Sequence, residues 1–179
     1  MQHRLSIENI ERAASEIDAV FTNTPQFNCE PLSKELGAQL TLKVETLNPI
    51  RSFKGRGADF FMSETQSTLQ GQQLVCATAG NFGQAMAYAC RKRSRHLIIY
   101  SATNANPLKI ERMRSMGAEV RQEGDNFDGS KESAKAFCAS TGAHFVEDGR
   151  DIAISEGAGS IAVEMMKQNP ESALVPVGL

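Results

Sequence analysis

From Leu74 onward, short apolar runs alternate with longer stretches of helical spacing, and glycine-bearing turns separate them. Leu74-Val75-Cys76-Ala77, His96–Tyr100, Glu119–Arg121 and His144–Val146 are too short for helices and lie between turn signals, so they read as strands. Between them, a helix running to about Lys92, then Pro107–Met116, Asp128–Ser140 and Ser155–Lys167, repeat apolar residues at helical intervals. Gly117 and Gly142 stand where helices stop. Ala173-Leu174-Val175-Pro176-Val177 reads as a last strand. This alternation predicts an α/β fold, a parallel three-layer sheet with helices on both faces.

The first third of the chain is less regular. Ser6 is placed to cap a helix with Ile7, Ile10, Ala14, Ile17 and Val20 on one face, and Thr22-Asn23-Thr24-Pro25 breaks it. Residues 26–37 read as irregular with a short helix at Leu32–Leu36, closed by Gly37. A strand follows at Leu40–Glu45, and the loop Asn48–Phe53 opens a helix expected to reach about Leu69. The chain stops at Leu179, directly after the last expected strand, where a parallel sheet calls for a covering helix. That predicts a truncated chain.

Composition narrows the function classes. A formal net charge of -2 and a hydrophobic share of 41% are those of an ordinary globular protein, with no bias toward nucleic acid. No apolar run approaches a membrane span, and Met1–Phe21 mixes acids and bases in a way unlike a secretory signal. Cys29, Cys76, Cys90 and Cys138 are scattered, which predicts reduced thiols and a cytoplasmic location. His96 and His144 open strand runs, and no spacing suggests a metal site.

Arg91-Lys92-Arg93-Ser94-Arg95 reads as a solvated helix end. Asp125 and Asp128 read as a turn and a helix N-cap. In Glu156-Gly157-Ala158-Gly159-Ser160 the glycines suit close helix packing or space beside a ligand, and Met165-Met166 reads as core.

Two stretches carry candidate chemistry. Lys54 falls in the first turn of a helix, where the positive end of the dipole disfavours an ammonium group. A lysine amine so placed is a candidate nucleophile for carbonyl compounds, and Gly55 and Gly57 beside it would let a ligand approach the backbone. The other reading of Lys54 is a solvated first-turn lysine. Thr78-Ala79-Gly80-Asn81-Phe82-Gly83-Gln84 is a strand-to-helix turn of small residues whose backbone N–H groups suit a carboxylate or phosphate.

Together these residues resemble the fold-type II pyridoxal-phosphate enzymes, in particular the threonine/serine dehydratases (ammonia-lyases). The resemblance runs from Thr24-Pro25 and Pro31-Leu32-Ser33 through Leu42–Glu45, the Ser52-Phe53-Lys54-Gly55-Arg56-Gly57-Ala58 box and Ala79–Gln84. It continues in Pro107-Leu108-Lys109, Met116–Val120 and Val175-Pro176-Val177-Gly178.

It implies pyridoxal 5'-phosphate as cofactor, with Lys54 holding it covalently and then moving the substrate's α-proton. Phe53 would pack on the pyridine ring, Asn81 would bond the ring hydroxyl, and Gly178 would open the phosphate-binding loop. Thr78, Ala79, Gly80, Asn81, Phe82 and Gln84 would hold the substrate carboxylate. The implied reaction is β-elimination from L-threonine or L-serine to a 2-oxo acid and ammonia. Family members are often homodimers and act on free amino acids, with no nucleic-acid or membrane partner.

The family usually has histidine where Phe82 stands. The resemblance also implies a division into an incomplete large domain, residues 1–52 and 150–179, and a small domain, residues 53–149. Alternatives are a non-catalytic fragment or pseudoenzyme, and the related serine racemase, threonine synthase and cysteine synthase activities.

Overall fold

The computed structural model describes residues 4–168, so the expected strand at Ala173–Val177 and Gly178 lie outside the described residues. The elements are α1 (Ile7–Glu16), β1 (Gln26–Asn28), α2 (Glu30–Leu36), β2 (Thr41–Lys43), α3 (Lys54–Glu64), β3 (Leu74–Ala77) and α4 (Asn81–Lys92). They continue as β4 (Leu97–Ser101), α5 (Pro107–Ser115), β5 (Glu119–Gln122), α6 (Phe127–Thr141), β6 (His144–Val146) and α7 (Ile152–Gln168).

The four later strands form one parallel sheet in the order β5-β4-β3-β6. Val75 lies opposite Ile98 and Phe145, and Ile99 opposite Val120. Side chains alternate across a strand, so each strand supplies both faces. Leu74, Cys76, Leu97, Ile99 and Val120 pack with Ala85, Met86 and Met113 of α4 and α5. Val75, Ile98 and Tyr100 pack with Ala134 and Phe137 of α6 on the opposite face. Burial on both faces explains why the central strands β3 and β4 are nearly continuous apolar runs, while the edge strand β5 keeps exposed polar residues. Their α/β class agrees with the sequence reading.

Several local expectations change. Residues 26–37 are not irregular: β1 pairs antiparallel with β2 in a separate two-stranded sheet, and α2 fills the connection. Only the pairing with Thr41–Lys43 makes Gln26–Asn28 a strand, so its own residues gave little sign of it. Helix α3 ends at Glu64 rather than Leu69 because turns take over, with the Thr65 cap N–H bonded to the Phe61 and Ser63 carbonyls. In α1, Ser6 does cap the helix by accepting from the Asn9 N–H at 3.2 Å. Its buried face is Ala13 and Ile17, while Ile7 is exposed and Val20 falls beyond the helix end. The N-cap of α6 is Asn126, which accepts from the Gly129 N–H at 2.9 Å, not Asp128. Met166 is exposed, because α7 turns that side away from α1 and α3.

Glycines near the lysine serve packing. A Cβ on Gly57 would sit 2.3 Å from the Ile154 carbonyl oxygen, and one on Gly157 would sit 2.7 Å from the Arg56 carbonyl oxygen. Helices α3 and α7 therefore cross backbone to backbone, which only glycine permits. Gly55 is filled by Phe21, whose Cε1 would lie 2.2 Å from an added Cβ. Gly55 admits protein rather than ligand, whereas Gly57 both packs against α7 and lines the cavity at Lys54.

The basic run after α4 is also more than a solvated end. Arg93 bonds the buried Asp59 carboxylate at 2.6 Å, and Arg95 donates to the Leu69 and Gln72 carbonyls at 2.6 and 2.8 Å. It ties the end of α4 to α3 and the turn beyond it.

Candidate active site

The loop before α3 is built by one buried amide. Asn48 Oδ1 accepts from the Ile50 and Ser52 N–H groups at 3.2 and 3.3 Å, while its Nδ2 donates to the Glu45 and Ser52 carbonyls at 2.9 and 3.0 Å. Ile50 plugs the core beneath it, and Arg51 takes a left-handed φ of 54°. The loop delivers Phe53 and Lys54 to the start of α3, where the Lys54 N–H donates to Ser52 Oγ at 3.3 Å.

Two residues on, Arg56 is wholly buried with its guanidinium between two carboxylates. It bonds Glu45 through Nε and Nη2, both at 2.9 Å, and Glu164 through Nη1 and Nη2 at 2.8 and 3.1 Å. Lys43 adds a second cation, 2.7 Å from Glu164 Oε2. Burial alone would raise the Glu164 carboxyl, but hydrogen bonds from Arg56, Lys43 and the Asn23 N–H prevail and hold it down at about 2. This knot fixes the first turn of α3 against β2 and α7.

The Lys54 side chain reaches a cavity of about 260 Å³ lined by Phe53, Lys54, Gly57, Asp148, Gly149, Ile154, Ser155 and Ala158. Its Nζ is 2.7 Å from Asp148 Oδ2 and 5.0 Å from the centroid of the Phe53 ring. A larger hollow of about 480 Å³ lies by α2, but its Ser33 hydroxyl is already engaged by the Cys29 carbonyl and the Leu40 N–H. The smaller cavity, which holds the amine, is the chemical one.

Asp148 follows β6, which pairs with β3 from Leu74 to Cys76. Val146 lies opposite Cys76, so Asp148, two residues further on, comes level with the residues that follow β3. The turn Thr78–Gln84 leaves that same end. Lys54, Asp148 and the turn thus gather at the carboxyl ends of β3 and β6, where open α/β sheets bind ligands.

Within the turn, Gly80 is the N-cap of α4 and no side chain caps the helix. A Cβ on Gly80 would meet nothing within 4 Å, so there is open space beside the uncapped start of α4. Thr78 is buried and its Oγ1 accepts from the Gly80 N–H at 3.1 Å. Asn81 is exposed and Ala79 half-buried. The Phe82 ring is packed in the core, so its contribution to a ligand is its N–H alone. Gln84 is buried, its Oε1 has no partner, and its Nε2 lies 3.5 Å from Asn81 Oδ1. An uncapped helix start, an open glycine and an orphaned buried amide oxygen, at the same end of the sheet as an amine in a cavity, fit a ligand that carries both an anionic group and a reactive carbonyl.

The description of the family model that matches residues 17–179 is pyridoxal-phosphate dependent enzyme. The chain belongs to this family. Its cofactor is pyridoxal 5'-phosphate.

An L-threonine dehydratase biosynthetic IlvA of Mycobacterium tuberculosis is 35% identical over 97% of this chain and 42% of its own length. An L-threonine ammonia-lyase of Thermotoga maritima is 32% identical over 97% of this chain and 44% of its own length. The processed form of threonine deaminase isoform 2 from Solanum lycopersicum superposes with a TM-score of 0.79 at 26% identity, covering 91% of this chain and 46% of that one. A pyridoxal 5'-phosphate-dependent aspartate racemase superposes with a TM-score of 0.86 at 26% identity, covering 96% and 54%. The chain thus spans well under half the length of the curated relatives it matches.

Sequence reasoning named Lys54, Phe53 and the turn, but it missed Asp148, Asn48, and the Arg56–Glu164 pair. Asn48 had a local signal, since asparagine two residues before a loop N–H often bonds it. Asp148 and Glu164 had none. Among the described residues, no group of three or more His, Cys, Asp or Glu side chains is arranged to hold a metal ion, and no helix is long and apolar enough to cross a membrane.

Proposed function

We propose that this chain supplies the reactive lysine and the substrate-carboxylate turn of a pyridoxal-phosphate-dependent ammonia-lyase acting on L-threonine or L-serine. The observation that carries this reading is the Lys54 amine inside the cavity it shares with Asp148, at the end of the sheet from which the turn into the uncapped α4 also leaves. When bound, pyridoxal phosphate draws electrons from the substrate's α-carbon, which makes the α-proton acidic.

The chain's own residues then have distinct tasks. Lys54 Nζ would hold the cofactor through its carbonyl carbon and, once freed, would be the group that accepts the substrate's α-proton. The free N–H groups of Asn81 and Phe82 receive the substrate carboxylate, strengthened by the helix dipole. Asn81 would bond the ring hydroxyl, and Phe53 would pack against the ring. Loss of the β-hydroxyl as water leaves an enamine that decays to a 2-oxo acid and ammonia. Residues 53–149 would form the small domain, with residues 1–52 and 150–179 in the large one. Gly178 would belong to the phosphate loop.

The test is reduction with borohydride in the presence of pyridoxal phosphate, followed by mass mapping. A reduced adduct on Lys54 is expected, absent in Lys54→Ala. An adduct elsewhere, or none on a folded chain, would remove Lys54 from this role and favour an inert fragment. Turnover assays separate the relatives: ammonia with a 2-oxo acid marks the lyase, and D-serine without ammonia marks a racemase.

A further inference from the structure

We propose that Asp148 is the resting counter-ion of Lys54: it holds the amine across the cavity and competes with incoming carbonyl compounds for that nitrogen. The proposal rests on the reading of Lys54 as the reactive amine.

The geometry is specific to this pair. Asp148 Oδ2 lies 2.7 Å from Lys54 Nζ, and both side chains are only about a third exposed, at 35% and 28%. The neighbouring acids are occupied. Glu147 pairs with Lys131 and with Arg150, the latter at 3.5 Å, and Asp151 Oδ2 accepts from the Glu147 N–H at 2.6 Å. Among the described residues, Asp148 has no other side-chain partner, and no second cation lines the cavity. On its other side the Lys54 nitrogen meets the Phe53 ring at 5.0 Å. Both contacts suit a cationic nitrogen, whereas attack on a carbonyl needs a free lone pair.

Condensation with an aldehyde therefore has to break the pair. The ammonium gives a proton to water, and its lone pair forms the N–C bond as the carbonyl π electrons move to oxygen. That oxygen leaves as water with the two protons the nitrogen sheds, and a C=N bond remains. Every aldehyde meets this barrier, whether or not it carries a phosphate. Asp148 is thus a positioning residue, whose effect is read on the amine itself.

The experiment is reductive methylation of the whole protein with limiting formaldehyde and cyanoborohydride, with peptide mapping of Lys54 against the exposed Lys34 and Lys109. Relative to those two lysines, Lys54 is expected to label about threefold faster in Asp148→Asn, the size of effect an ion pair of this exposure supports. Asp148→Glu, which keeps the charge, should stay near the parent rate. Equal or slower labelling in Asp148→Asn overturns the proposal. So does loss of fold in both Asp148→Asn and Asp148→Ser, which would make Asp148 structural.

A parallel arm with pyridoxal phosphate separates the two readings. Faster formaldehyde labelling without any pyridoxal adduct on Lys54 would keep the counter-ion and discard the lyase. A pyridoxal adduct on Lys54 with unchanged formaldehyde rates would do the reverse.

Discussion

The loop that carries Lys54 and the turn that carries Asn81 both feed a helix, yet they are built in opposite ways. Asn48 satisfies the first loop from within, spending both ends of its amide on backbone groups, and Arg56 locks the following turn between Glu45 and Glu164. The second leaves the start of α4 uncapped, with open space at Gly80 and an unpartnered oxygen on Gln84. A residue that must form a bond to a small molecule gains from being held still, since misplacement weakens attack. A site that must receive an anion gains from donors that no side chain has claimed. The lysine side spends its hydrogen bonds on itself, and the turn keeps its own in reserve.

That contrast can be broken first at Arg56. Arg56→Met leaves Glu45 and Glu164 buried without their shared cation, and is expected to cost about 3–5 kcal/mol in urea unfolding. A cost under about 1 kcal/mol would show that the knot is dispensable.

The same knot predicts an acid limb. Glu164 is held below its ordinary value of 4.5, at about 2, so the unfolded chain takes up its proton first. Its stabilisation is whole above pH 4.5 and is lost as pH falls from there toward 2. Unfolding midpoints measured across that window should fall less steeply in Glu164→Gln.

Next in size is Gly57→Ala. Its Cβ would press on the Ile154 carbonyl oxygen at 2.3 Å and force α3 from α7, costing about 2–3 kcal/mol by differential scanning calorimetry. Asn48→Ala orphans buried backbone groups and should cost about 2 kcal/mol, with Lys54 labelling becoming less selective over other lysines.

The smallest stability effect belongs to the turn. Gly80→Ala adds a methyl where nothing lies within 4 Å, so stability should change by less than about 0.5 kcal/mol. If the turn receives the substrate carboxylate as proposed, the added methyl should raise the KM for threonine while the melting temperature holds. A large loss of stability at Gly80 would erase the difference between the two regions.

The buried thiols sharpen the view from outside the site. Burial raises Cys76 and pushes Cys90 up to about 12, while all four cysteines are free. Thiol reagents should therefore reach Cys29 and Cys138, both half-buried, before the two core cysteines.

What the chain alone determined is what neighbours in sequence determine. Apolar runs of four or five residues between glycine turns made the parallel sheet legible. Phe53 beside Lys54, and Gly80 beside Asn81, are chain neighbours, so both halves of the candidate site could be named from the sequence. Strand β1 did not, because three residues become a strand only when a partner such as β2 bonds them.

Charges followed the same rule. Nothing local distinguishes Asp148 from Asp151, or Glu164 from any acid on a helix. Their partners, Lys54 and Arg56, arrive only when β6 aligns beside β3 and α7 crosses α3 at Gly57 and Gly157. Spacing along the chain decides which backbone groups bond within an element. The packing of elements decides which charges lose their water together and must therefore pair. The sequence alone named the candidate amine, and the tertiary structure determined which carboxylate pairs with it.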